Sequence, residues 1–143
     1  MSVARSVSSR RNARSASTPA TVWGHYGFTP EMVAGGDFNA QMFNSFLDGT
    51  KSAIEMAAVA NATGLTPAPY GLAFPPCGTH ELADVLRPGN TGALHHAGQV
   101  EVISSVNRDG SQVPNDLRWG VFVAYEAPND YAARCFGEYG VVT

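Results

Sequence analysis

A chain of 143 residues, 44% apolar and 15% charged, is one soluble globular domain's worth and too short for two. No apolar run approaches the roughly 20 residues that a membrane-spanning helix needs. The net charge of −3 hides an uneven division: Arg5, Arg10, Arg11 and Arg14 stand in an acid-free leader, leaving five basic groups against twelve acidic ones in the body. So acidic a body lacks the basic face that nucleic acid requires and makes it a poor partner.

Met1 to Ala16 is rich in serine, arginine and alanine, has no periodic apolar face, and reads as a disordered basic leader, residues 1–16, ahead of a domain at 17–143. Such leaders resemble organelle transit peptides. A gene boundary inside a longer reading frame produces the same appearance and is the reading preferred, because the chain looks as if it begins and ends mid-protein. Thr18 followed by Pro19 predicts a capped helical turn, and Thr29 followed by Pro30 repeats the signal up to Gly35-Gly36. Trp23, His25, Tyr26 and Phe28 form an aromatic cluster that packs this segment onto the body, with His25 read as structural or solvated.

Gln41 to Leu47 alternates Met42, Asn44 and Phe46 with Phe43, Ser45 and Leu47, a period-two pattern that predicts a buried strand. Thr50 to Ala62 lacks glycine and proline and ends at Gly64, which predicts a helix stopped by a left-handed residue. Its apolar residues go most of the way round, so the helix is expected to be enclosed on more than one side.

Between these two lies Asp48-Gly49-Thr50-Lys51, which holds the only lysine of the molecule. Asp48 or Thr50 can cap the helix, and Gly49 permits a sharp turn. Lys51 in the first turn opposes the helix dipole, a disadvantage of about 0.3 to 1 kcal/mol, and precedes Glu55 in the less favourable order for a pair spaced by four. A bound anion would offset that disadvantage, since the free N–H groups and the ammonium would both face it. The plain alternative is a solvated or ion-paired surface lysine.

Thr66 to Pro76 carries four prolines and predicts an irregular connection whose Tyr70, Leu72 and Phe74 cover a sheet edge. Residues 80–86 predict a short helix capped by Thr79 and ended by Arg87-Pro88-Gly89, with Arg87 complementing the helix end. Gln99 to Val106, the turn Asn107-Arg108-Asp109-Gly110, and Leu117 to Tyr125 predict a β-hairpin. Asn129 then caps a helix from Asp130 to Glu138, closed by Gly140.

Other chemistry is sparse. His95 and His96 are adjacent and point to opposite faces of an extended chain, so at most one can serve a given site, by hydrogen-bonding a substrate hydroxyl or phosphate. No HExxH, CxxC or carboxylate cluster accompanies them, and no metal is expected. Arg118 offers a two-pronged grip on a phosphate or carboxylate, or an ion pair with Asp116 or Glu101. Cys77 and Cys135 have no metal-type spacing and read as reduced, Cys77 being the better candidate for an exposed thiol. The glycosylation triplet at Asn61 lies inside the expected helix and is discounted.

The stretch DGTKSAIEMAAVANATGL, with FNSF before it and GLAFPP, DLRWGVFV and CFGEYG after it, resembles the middle section of the homoserine dehydrogenase-like oxidoreductases that end in a SAF domain. That family includes reductoisomerase-like enzymes that convert 1-deoxy-D-xylulose 5-phosphate into 2-C-methyl-D-erythritol 4-phosphate. The likeness runs from about Ser17 to Thr143. It implies an α+β fold, a mixed sheet with a β-hairpin packed against a buried helix, serving as the substrate-binding and oligomerisation domain of a Rossmann-type dehydrogenase. The chemistry implied is hydride transfer between NAD or NADP, with NADP favoured, and a small anionic hydroxy or carbonyl substrate.

Lys51 is the first-choice catalytic or substrate contact, with Asp48, Thr50, Arg118, His95 and His96 around it. No GxGxxG turn occurs in the sequence. In the family that fingerprint belongs to an amino-terminal cofactor domain, so this chain alone is expected to bind no nucleotide and to be inactive by itself. A cytoplasmic homo-oligomer is expected. The alternative from another class is a non-catalytic binding or subunit-assembly module.

Overall fold

The computed structural model describes residues 2–7, 18–117 and 120–141. Among these residues, six helices and three strands follow one another as β1 (Ser2–Val7), α1 (Pro19–Tyr26), α2 (Pro30–Ala34), α3 (Ala40–Leu47), α4 (Thr50–Thr63), α5 (Leu82–Val85), β2 (Val100–Ser104), β3 (Val121–Ala124) and α6 (Asp130–Glu138). Mixed helix and strand of this kind is the α+β class that the sequence implied.

The expected β-hairpin is not formed. Strand order is β2-β1-β3, with β1 parallel to β2 in the register Val3↔Val100 to Val7↔Ser104 and antiparallel to β3 in the register Ser2↔Ala124 to Arg5↔Val121. The turn at Asn107 to Ser111 is present, yet it closes only a single bridge between Val106 and Gln112 before the chain departs. The two presumed hairpin strands instead take opposite edges of β1, because a third strand can supply each of them with a full ladder of backbone bonds. The leader expected to be disordered thus contributes, at residues 2–7, the middle strand of the sheet. Composition does not register hydrogen bonds made by the backbone. The remainder of that leader, and Arg118, lie outside the described residues.

Most helices start where their caps put them. Thr18 accepts from the Thr21 N–H, Thr29 from Met32 and Asn129 from Ala132. The run expected to be a strand at 41–47 is helix α3, started by Asn39, whose Oδ1 accepts from the Met42 N–H at 3.1 Å. Seven residues are too few for period two to be told from a helical stripe. A helical pitch sends Phe43 into a ring cluster with Trp23, Tyr26, Phe28, Phe38 and Phe46, with centroids 5.1 to 6.4 Å from it. These aromatics pack mainly on one another across α1 and α3, and the Tyr26 hydroxyl, its pKa raised by burial, donates to the Phe43 carbonyl.

Helix α4 ends at Gly64 in the left-handed conformation, φ 74°. It is not enclosed. Ser52 and Met56 are buried whereas Ile54 is 66% exposed, so one stripe faces the sheet and the alanines opposite meet water. Met56 packs with Phe74, Val100 and Val102 on that side, and Cys77, Leu86, Leu94 and Ile103 form a second cluster joined by Phe122 and Ala124. Both faces of β2 are therefore dry along its whole length.

Thr66 to Pro76 runs along the outer edge of β2, bridged in parallel at Thr66↔Gln99 and Pro76↔Ser104. Between these anchors the connection detours, which leaves part of the β2 edge without backbone partners. Leu72 and Phe74 turn inward while Tyr70 stands 95% exposed. The short helix after it begins as a 3-10 turn at Thr79–Glu81, and its N-terminal N–H, that of Gly78, is met by the Glu81 carboxylate rather than by a Thr79 cap.

Candidate functional site

The turn between α3 and α4 is built by its own polar groups. Asp48 ends α3, where its N–H donates to the Asn44 carbonyl, and its Oδ2 accepts from the Asn44 side chain at 3.0 Å. Its Oδ1 accepts from the Thr50 N–H at 2.9 Å. The carboxylate thus places a negative charge at the positive end of α4, so the dipole there already has a complement from the chain itself.

Gly49 holds φ at 82°, and the Phe74 ring lies where its side chain would be: an added Cβ would come within 2.2 Å of the ring. The glycine that looked like a ligand-approach position is used for packing. Lys51 is exposed, with its ammonium 4.3 Å from the centroid of Phe46. That cation–π contact, about 0.5 to 1 kcal/mol at an exposed position, offsets its unfavourable place in the first turn.

The two histidines stand in a bend of the loop before β2 and differ in exposure. His95 has an exposed side chain, and its N–H donates to Gln99 Oε1 at 2.9 Å. His96 is half-buried, with Nδ1 2.9 Å from the Ala97 carbonyl. Its Nε2 lies 3.4 Å from both the Thr66 hydroxyl and the Pro67 carbonyl, which ties the histidine to the proline-rich connection.

A second polar cluster was not read from the sequence. Glu101 is fully buried on β2, where alternation would have turned it outward to water. Its carboxylate accepts from the N–H groups of Ala73 (3.0 and 3.1 Å), Phe74 (3.2 Å) and Val102 (2.8 Å), and from the Gln99 amide at 3.4 Å. It supplies the acceptors that the detour of Thr66 to Pro76 withdraws from the strand edge. Phe74, whose N–H enters this carboxylate, has φ 53°. For a bulky residue that conformation costs about 1 to 3 kcal/mol and persists only where its surroundings impose it.

The family described as oxidoreductase DRL, catalytic domain, matches residues 4–143. This chain belongs to the DRL oxidoreductase family. The match begins inside β1, ahead of the Ser17 at which the resemblance set in, and so includes the strand that composition had assigned to a leader. No curated protein and no solved structure matches the chain.

In this DRL domain the nominated residues fall into separate groups. Asp48, Thr50 and Lys51 share one turn, His95 and His96 lie in the loop before β2, and Arg118 is outside the described residues. One of the ion-pair partners considered for Arg118, Glu101, is engaged with backbone N–H groups instead.

Cys77, expected to be the more exposed thiol, is buried while Cys135 is half-buried. Its S–H donates to the Gly78 carbonyl. Burial first, and the nearby Glu81 charge second, raise its pKa from 9.0 to about 11, which makes it a poor nucleophile. Among the described residues no group of three or more histidine, cysteine, aspartate or glutamate side chains could hold a metal, and no helix is long and apolar enough to cross a membrane.

A nicotinamide dinucleotide has no cradle among the described residues. Pyrophosphate binding needs a glycine-rich turn from strand to helix. Gly49, at the best-placed helix start, follows a helix and is covered by Phe74. No local signal marks Glu101 as buried: Gln99, Glu101 and Ser105 share one side of an alternating run, the pattern of a strand with a polar face.

Proposed function

We propose that this DRL catalytic domain carries the substrate side of an NAD(P)-dependent hydride transfer, acting on a small anionic hydroxy or carbonyl compound such as a sugar phosphate. The observation that carries the reading is the family match over residues 4–143. Membership of an oxidoreductase catalytic family favours a nicotinamide in general; the preference for NADP comes from the resemblance of the sequence blocks to the SAF-containing, homoserine dehydrogenase-like relatives. The residues described do not fit the nucleotide. Their share is to hold the substrate.

Lys51 is the point charge for a phosphate or carboxylate. Thr50 adds a hydroxyl beside it, and Asp48 fixes the turn on which both stand. His95, whose ring is exposed, is the better of the two histidines to reach a substrate hydroxyl, because His96 is occupied by Ala97 and Thr66. Arg118 is retained as a second anion contact.

The test is calorimetric binding of small ketones to the full chain, some phosphorylated or carboxylated and some uncharged, for wild type and Lys51→Met. Binding confined to anionic members and lost in Lys51→Met is the expected result. Equal binding of uncharged members, or a variant indistinguishable from wild type, would sink the assignment.

A second reading has its own support. On β3, Val121 and Val123 are 62% and 47% exposed on the side away from Phe122 and Ala124, as a subunit contact would require. In that reading the domain assembles with a second copy. Sedimentation of Val123→Lys against wild type decides it: a shared monomeric mass removes the subunit-contact reading.

A further inference from the structure

We propose that Glu101 is a positioning residue, the buried carboxylate that sets both the α4 turn bearing Lys51 and the loop bearing His95. The inference deepens the substrate-site reading above and rests on it.

Consider the peptide between Ala73 and Phe74. Its N–H donates to Glu101 and its carbonyl accepts from Arg108 Nη2 at 2.8 Å, so one peptide unit is gripped by an anion on one side and a cation on the other. Its dipole fits that arrangement in one orientation, and turning it over would point the carbonyl at a carboxylate. This is what holds Phe74 at φ 53°, a conformation its side chain disfavours.

The held residue then acts through its ring. Phe74 is 1% exposed and touches α4 at two places: it fills the space beside Gly49 at the helix start and packs with Met56 further along. A ring fixed there determines where α4 begins, and hence where Thr50 and Lys51 stand. The other arm leads to the histidines. The Gln99 amide donates to Glu101, and Gln99 Oε1 accepts the His95 N–H. Groups 44 residues apart in sequence, Lys51 and His95, thereby refer to one carboxylate. An apolar residue at 101 would fill the same volume and leave the Ala73, Phe74 and Val102 N–H groups without acceptors.

The test is residue-resolved amide hydrogen exchange on the full chain, comparing wild type, Glu101→Gln and Arg108→Met. Glutamine keeps the shape and replaces one acceptor oxygen with a donor. In Glu101→Gln the amides of Phe74, His95 and the first turn of α4 should exchange about tenfold faster or more, with α6 unchanged. Arg108 is exposed, so its replacement leaves the core intact; Arg108→Met should accelerate Phe74 and the α4 turn while sparing His95. Acceleration at Ala73 and Phe74 alone, or equal acceleration in α6, overturns the proposal.

A titration with inorganic phosphate, following the Thr50 and Lys51 amides by NMR, separates this inference from the reading beneath it. Shifts in wild type that weaken in Glu101→Gln support both. No shift in wild type, with the exchange coupling present, removes the anion site and leaves the positioning of the turn by Glu101 standing.

Discussion

The turn from Asp48 to Lys51 and the outer edge of β2 at Glu101 are both small clusters of polar groups joined to backbone N–H donors, and they meet at the contact of Phe74 with Gly49. One is wet and the other dry. At the turn, water can replace any bond that a mutation removes, so the local cost of change is small. At the strand edge no water is at hand and a lost acceptor leaves a buried donor unpaired, a penalty of about 1 to 3 kcal/mol for each group. The residue that attracts a reader of the sequence, the lone lysine, therefore stands where the fold depends on it least. The carboxylate that organises the neighbourhood is inconspicuous on the polar side of an alternating run.

The sharpest break of this contrast is Phe74→Ala. Loss of a fully buried ring should reduce stability by about 3 to 5 kcal/mol in chemical denaturation, with the α4 start losing protection along with the β2 edge. Gly49→Ala should cost about 1 to 3 kcal/mol, since its Cβ would overlap the Phe74 ring. Made in the Phe74→Ala background it should cost less, because the ring is gone, and simple additivity in that double-mutant cycle would show that the two residues do not press on one another.

A third measurement concerns the dry side alone. The Cys77 pKa is raised in the folded state, so above pH 9.0 the unfolded chain loses its thiol proton first. Stability should then decline as pH climbs from 9.0 towards about 11, a slope that Cys77→Ala should flatten. In the native protein, iodoacetamide at mildly alkaline pH should modify Cys135 ahead of Cys77. The smallest effects belong to the wet turn: Asp48→Ala should cost about 1 kcal/mol through the lost bond to the Thr50 N–H, and Lys51→Met under about 1 kcal/mol. Should Lys51→Met destabilise as strongly as Phe74→Ala, the division between wet and dry clusters would be wrong.

Much of the helical part was legible beforehand. Thr18, Thr29 and Asn129 each name a helix start, and Gly64 and Gly140 each name an end, because a cap joins a side chain to an N–H three residues away and a left-handed stop is a property of one residue. Where signals were short or shared, reading failed. Residues 41–47 satisfied both periods, and only the ring cluster around Phe43 decided for the helix. At the candidate site, the sharp turn at Gly49 was legible, but the helix start there is Gly49 itself with no side-chain cap, Asp48 only accepting from the Thr50 N–H, and the covering of Gly49 was not legible, since Phe74 lies 25 residues further along.

The sequence by itself determined where α4 starts and stops, which residues turn the chain around it, and that a single cation stands at its first turn. All of these are settled by groups within a few positions of one another. Only the tertiary structure decided that β1 enters between β2 and β3, that Phe74 closes the space beside Gly49, and that Glu101 serves the backbone instead of the solvent. Strand pairing and the burial of a charge depend on which distant donors and acceptors find each other. That choice is made by the free energy of the whole assembled core, and no local window of residues contains it.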